Sequence, residues 1–118
     1  MIQLRSILVP ADNTGAKKLN VIHTKAKVAR IGEIIVCVVD GADSNGAVKD
    51  SEIVKAVLVR SRKEYRRVDG SFVRFDDNAA VIIDKDKNPL GTRIFGPIAK
   101  EIKEKGFNKI ASLAEELV

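Results

Sequence analysis

Ile34-Ile35-Val36-Cys37-Val38-Val39-Asp40-Gly41, then Asn45-Gly46, then Ile53-Val54-Lys55-Ala56-Val57-Leu58-Val59 decide the fold class of this chain. Both apolar runs are dominated by Val and Ile, whose branched side chains pack well on a pleated backbone. The residues between them hold turn-forming dipeptides and no helical stretch that could serve as a crossover, so the runs are expected to be antiparallel. Asn45-Gly46 is the strongest hairpin signal, because both central positions of a type I′ turn need positive φ. It should top an acidic β-ribbon over about residues 40–52.

The same pattern continues outward. Ile7 to Val9 and Leu19 to Ile22 precede, and Ala80 to Ile83 follows, with turns at Asp12-Asn13-Thr14-Gly15, Asp69-Gly70 and Asn88-Pro89-Leu90-Gly91. Short strands at regular spacing favour a small antiparallel barrel. From Pro97 the period changes. Pro97 suits a first helical position, Ile98 and Ile102 fall four apart, and Gly106 is a good stop, which predicts a helix of about two turns. Asn108 can cap a second helix with Ile110, Leu113, Ala114 and Leu117 on one apolar stripe. Lys109, Glu115 and Glu116 then sit at the wrong ends of its dipole. The chain reads as a single domain, 1–118, with a barrel over 1–96 and a helical region over 97–118.

A chain of 118 residues can bury a core without disulfides, and its only cysteine, Cys37, reads as a packed thiol. No apolar run reaches the ~20 residues of a membrane span, and residues 1–9 lack a secretory pattern, so the chain is expected to stay where it is made. The net charge of +5 is unevenly spread. Residues 1–30 and 54–75 are each +5, whereas 31–53 are −4 and 76–118 are −1. Two basic blocks suggest a polyanion footprint assembled from two parts of the chain, although such clusters also arise on solvated faces.

Catalytic constellations fail to assemble. His23 and Cys37 are the sole residues of their kinds, which leaves no ligand set for structural zinc. No Gly-x-Ser-x-Gly turn presents a nucleophile to His23. Asp76-Asp77 would point to opposite faces as neighbours on a strand unless a turn intervenes, and they read as a strand-end turn with Asn78, while the glycines form no phosphate-cradling loop. No enzyme, metal or cofactor is expected. What remains is Arg60-Ser61-Arg62-Lys63-Glu64-Tyr65-Arg66-Arg67, which runs straight out of the strand ending at Val59. Arginines held at a strand end form a fixed comb whose planar forks suit phosphate oxygens. Tyr65 could stack on an unpaired base or cover the barrel edge. A free-standing barrel that binds nucleic acid fits these features too.

Ala56-Val57-Leu58-Val59, Asp69-Gly70, Phe75, Asn78 and Val81-Ile82, in that spacing, resemble the signature of the universal large-subunit ribosomal protein numbered fourteen. Ala11-Asp12-Asn13-Thr14-Gly15-Ala16-Lys17-Lys18 and Gly91-Thr92-Arg93-Ile94-Phe95-Gly96-Pro97 are similar to further segments of that family, so the likeness covers nearly the whole chain. The resemblance implies a five-stranded closed barrel, a projecting β-ribbon and two short C-terminal helices. It implies a ribosomal location, cytoplasmic or in an organelle with a bacterial-type ribosome. It also implies binding to large-subunit ribosomal RNA and to neighbouring proteins, and a bridge to small-subunit RNA. In bacterial members a ribosome silencing factor docks on the surface carried here by Thr92, Arg93 and Lys109. The 40–52 ribbon is acidic where relatives are commonly basic. RNA binding is therefore expected to lean on Lys17, Lys18, Arg60, Arg62, Lys63, Arg66, Arg67 and Arg74.

Overall fold

A computed structural model of the protein describes residues 2–25 and 27–118, leaving aside the side chain of Tyr65. Its strands run β1 (Ile7–Pro10), β2 (Ala16–Thr24), β3 (Ile34–Ala42), β4 (Ile53–Arg60), β5 (Tyr65–Arg66), β6 (Phe72–Val73) and β7 (Ala79–Ile83). Strands β1, β2, β3, β4 and β7 close into a barrel, and β5 pairs with β6 as a separate hairpin. Successive barrel strands are antiparallel, but the closing seam is parallel, with Val9 opposite Ala79 and Pro10 opposite Ala80. An odd number of alternating strands returns the last in the direction of the first, so one seam has to be parallel.

Ala56–Val59 of β4 and the whole of β7 carry no polar alternation because both of their faces are covered. Ala56, Leu58, Ala80 and Ile82 point into the barrel with Leu8, Leu19, Ile35, Cys37 and Val39. Their neighbours Val57, Val59, Ala79, Val81 and Ile83 point out, under Ile94, Ile98, Ile102, Phe107 and Ile110. On β2, by contrast, Leu19 and Val21 are buried while Lys18 and Ile22 are exposed. The period-two rule thus shows only where one face meets water.

Residues 43–52 depart from the free ribbon expected there. Strand pairing ends at Ala16 opposite Ala42, and the segment beyond folds back over the β1–β2 turn. Asp43 N–H donates to the Gly15 carbonyl (2.9 Å) and Ala47 N–H to that of Thr14 (2.8 Å), while Val48 is buried in the barrel interior. Neither Asn45 nor Gly46 has positive φ, so the turn is not type I′. Gly46 is needed for another reason: a Cβ there would lie 2.6 Å from the Thr14 carbonyl oxygen. Two carboxylates of the segment serve local backbone, Asp50 accepting from Gly41 N–H at 2.8 Å and Glu52 from Lys49 N–H at 3.1 Å. The β5–β6 hairpin is the separate two-stranded element, exposed from Val68 to Phe72.

The C-terminal region corrects the helix boundaries. Pro97–Ile98 form a strand, β8, parallel to β9 (Glu116–Leu117). Helix α1 is a single turn, Glu101–Glu104, and Gly106 (φ 94°) ends it. Helix α2 spans Asn108–Leu113 and leaves for extended backbone at Ala114. Phe107, not Asn108, holds its N-cap position, and Leu117 falls outside the helical stripe. Ending α2 at Leu113 also takes Glu115 and Glu116 off the helix terminus, which removes the unfavourable dipole contact that a longer helix would impose.

Candidate nucleic-acid interface

Strand β4 delivers the basic segment at its exit, and its first arginine is used inside the protein. The Arg60 guanidinium donates to the carbonyls of Phe95 (2.8 Å) and Pro97 (3.1 Å), and its Nε lies 2.9 Å from Asp77 Oδ1. Gly96, at φ 77°, makes room, since a Cβ there would meet Nη1 at 2.5 Å. Arg60 therefore staples β4 to the approach of β8. Arg67 is likewise engaged. It meets Glu101 through Nε (3.1 and 3.2 Å to the two oxygens) and Nη2 (2.9 Å), and Nη2 also donates to the Val118 carbonyl. A charge buried at an element junction without such partners costs several kcal/mol.

The remaining cations of the segment, Arg62, Lys63, Arg66 and Arg74, are exposed. Arg62 is held in place, its N–H donating to Asn78 Oδ1 (2.7 Å) and its Nε to the Asp76 carbonyl (3.0 Å). On the hairpin, Arg66 stands opposite Phe72 and Tyr65 opposite Val73. Past the turn, Phe72 and Arg74 are exposed whereas Val73 and Phe75 pack on the outer core. Phe75 N–H donates to the Ser61 carbonyl (3.0 Å), beyond the end of β6 and out of the Tyr65–Val73 register. Arg66 and Phe72, opposite each other, consequently share the outward face, and Arg74 is exposed just past the strand.

Lys17 and Lys18 lie on β2, both exposed. As strand neighbours they point to opposite sides. Lys18 stands across from Asp40, and the Lys17 stem lies over Gly41, where a Cβ would be 3.2 Å from Cδ. The two sequence blocks thus supply exposed cations on β2 and on segment 60–74. A third set, which the charge blocks did not reveal, surrounds a cavity of about 270 Å³ lined by Lys25, Lys87, Lys105, Glu33, Ile34 and Phe107. Its lysines come from distant parts of the chain, so no local signal could mark it.

Thr92 and Arg93 are exposed on a loop fixed by Asn13. Asn13 Oδ1 accepts from both of their backbone N–H groups (2.9 and 3.1 Å), and its Nδ2 donates to Thr92 Oγ1 (2.9 Å). The Arg93 guanidinium sits 5.4 Å from the Phe95 ring centroid. Lys109 is exposed in the first turn of α2, beside Ile110, which shares a core cluster with Ile94 next to Arg93.

The titratable groups that could suggest catalysis are committed elsewhere. Asp12 accepts through Oδ1 from Thr14 Oγ1 (2.8 Å) and through Oδ2 from Ile82 N–H (2.9 Å). Burial holds its carboxyl above the ordinary value despite those bonds. Of the Asp76-Asp77 pair, Asp77 is tied to Arg60. Among the described residues no group of three His, Cys, Asp or Glu is placed to hold a metal, and no helix is long and apolar enough to cross a membrane. Compared with known families, the chain matches over residues 1–118 the family described as Ribosomal protein L14p/L23e.

Proposed function

Because the chain belongs to the Ribosomal protein L14p/L23e family, a structural and non-catalytic RNA-binding component of the ribosome, we propose that Arg62, Lys63, Arg66 and Arg74 are its principal contacts with large-subunit ribosomal RNA. Association with that RNA and with neighbouring ribosomal proteins follows from family membership. The observation that supports the choice of residues is the division of labour on segment 60–74. Arg60 and Arg67 hold the segment to the body, and the cations between and beyond them are exposed. Side chains fixed at their base lose less entropy on meeting phosphate, and guanidinium forks suit phosphate oxygens. Lys17 and Lys18 form a second, weaker set, partly offset by Asp40.

Thr92, Arg93 and Lys109 are proposed as the surface for a silencing factor, supported by the rigid seat that Asn13 gives the loop. A bridge to small-subunit RNA and a cytoplasmic or organellar ribosome complete this reading. Residues 1–118 are taken as one domain, since β4 and β7 contribute to both the barrel interior and the outer core.

The test is incorporation. Replacing Arg66 and Arg74 with Glu should leave the fold intact and remove the chain from large subunits sedimented in moderate salt. With isolated large-subunit RNA, the plot of log affinity against log salt should flatten by roughly 0.7 to 0.9 for every phosphate that the variant no longer neutralises. Full incorporation of the double variant with an unchanged salt slope would refute the assignment.

A further inference from the structure

We infer that Phe72 stacks on an unpaired base of the large-subunit RNA, so that the β5–β6 hairpin reads an irregular, single-stranded element and not only the phosphates of a helix. This inference rests on the assignment of Arg66 and Arg74 to RNA. Phe72 is 66% exposed, and Val68 at the hairpin turn is fully exposed. A two-residue strand pair has no core of its own, and the inward side of this one is already supplied by Val73 and Phe75. The phenyl ring therefore contributes nothing to the fold that its solvent exposure does not offset.

Its surroundings identify the occupant. Arg66 stands directly across the hairpin from Phe72, and Arg74, just past the end of β6, is exposed. Glu64 is an exposed acid on the approach, while Asp69 is engaged within the turn by Ser71 N–H (3.0 Å) and Oγ (2.6 Å). An exposed aromatic ring paired across the hairpin with an arginine fits a ligand that offers an apolar face beside negative charge, which describes a nucleotide whose base has left its stack. A regular A-form helix presents phosphates and 2′-hydroxyls there but no ring face. The turn end of the hairpin is tied to α1 by Arg67 and Glu101, and a Cβ at Gly70 would meet nothing within 4 Å, so the exposed ring is held at low entropic cost.

Photocrosslinking in assembled ribosomes tests this. With p-benzoylphenylalanine at position 72 of the full chain, irradiated large subunits should give a crosslink to RNA at a nucleotide that lies outside regular helices. Phe72→Leu and Phe72→Ala chains should incorporate, raise the chemical reactivity of that nucleotide's base, and weaken binding to isolated large-subunit RNA roughly tenfold. A crosslink to protein alone, to a base-paired helix, or to nothing overturns the inference. So does unchanged base reactivity in both variants. If Phe72→Ala is neutral while Arg66→Glu with Arg74→Glu abolishes binding, the stacking is wrong and the phosphate reading stands. If neither has an effect, both fall together.

Discussion

Arg67, at the turn end of the β5–β6 hairpin, and Glu101, on α1, form the ion pair that joins the hairpin to the C-terminal region, with Nη2 2.9 Å from Oε1 and both side chains about 15% exposed. The pair spans 34 residues of sequence. Its partners are well enough shielded that removing one leaves the other charge poorly compensated. Arg67→Ala should therefore cost about 2 kcal/mol, between the values for exposed and fully buried pairs. Denaturant unfolding would measure the loss. Amide exchange should also quicken at Arg67, whose N–H donates to the Ser71 carbonyl at 2.8 Å. A stability unchanged within a few tenths of a kcal/mol would show that the hairpin does not depend on this anchor.

Asp12 should make stability depend on pH in a direction unusual for a carboxylate. Burial, the largest influence, raises its pKa above the ordinary 3.8, against the lowering effect of bonds from Thr14 and Ile82. A group that binds its proton more tightly when folded contributes stability that is fully present below its unfolded pKa and is lost as pH rises through the folded one. The protein should therefore gain stability relative to Asp12→Asn as pH falls from neutral toward 3.8. The variant should be weaker at every pH, because an amide nitrogen cannot accept from both the Thr14 and Ile82 donors; about 1 to 3 kcal/mol is expected. Unfolding midpoints of both chains across that range give the comparison, and a constant gap would contradict it.

Cys37 should be chemically silent in the folded chain. It is fully buried in the barrel interior, and burial pushes its thiol up to about 12. Only a thiolate attacks an alkylating reagent, so iodoacetamide at about pH 8 should leave the native protein unmodified and label it promptly in denaturant. Labelling at equal rates in both states would mean that the barrel opens far more readily than its packing implies.

The barrel was legible because its strands are bounded by turn residues and carry β-branched side chains, which are local properties. What sequence misjudged was decided by partners distant in the chain. Pro97 and Ile98 have helical spacing, yet they pair with Glu116 and Leu117 while the Pro97 carbonyl accepts from Arg60. Asn45-Gly46 has hairpin chemistry, yet Gly46 serves a close crossing with Thr14 and Gly15. The interface divides in the same way. Charge blocks pointed to segment 60–74, but nothing local distinguishes Arg60 and Arg67, which meet Asp77 and Glu101, from the exposed Arg66 and Arg74. Period two along Phe72, Val73, Arg74 and Phe75 could have marked Phe72 as outward, had the apolar residues beside it been recognised as core.

Asn13 fixes the Thr92–Arg93 loop by a geometry that leaves no space at residue 91, and this makes a paired test possible. A Cβ on Gly91 would lie 2.6 Å from Asn13 Oδ1 and 3.3 Å from Thr14 Cγ2, so Gly91→Ala must push the Asn13 amide out of its seat. Asn13→Ala removes the same three hydrogen bonds directly. Each variant alone should cost roughly 0.5 to 1.5 kcal/mol, because an exposed set of three hydrogen bonds is lost and water takes over its donors. Since both changes destroy one arrangement, the double variant should be little worse than either single one, whereas independent sites would add. Asn13→Asp should be nearly harmless, for a carboxylate still accepts from both N–H groups and the Thr92 hydroxyl can turn to donate. Amide exchange at Thr92 and Arg93 reports on the loop itself: fast in Asn13→Ala and Gly91→Ala, slow in Asn13→Asp. Additive costs in the double variant would mean that Gly91 is required for some reason other than Asn13.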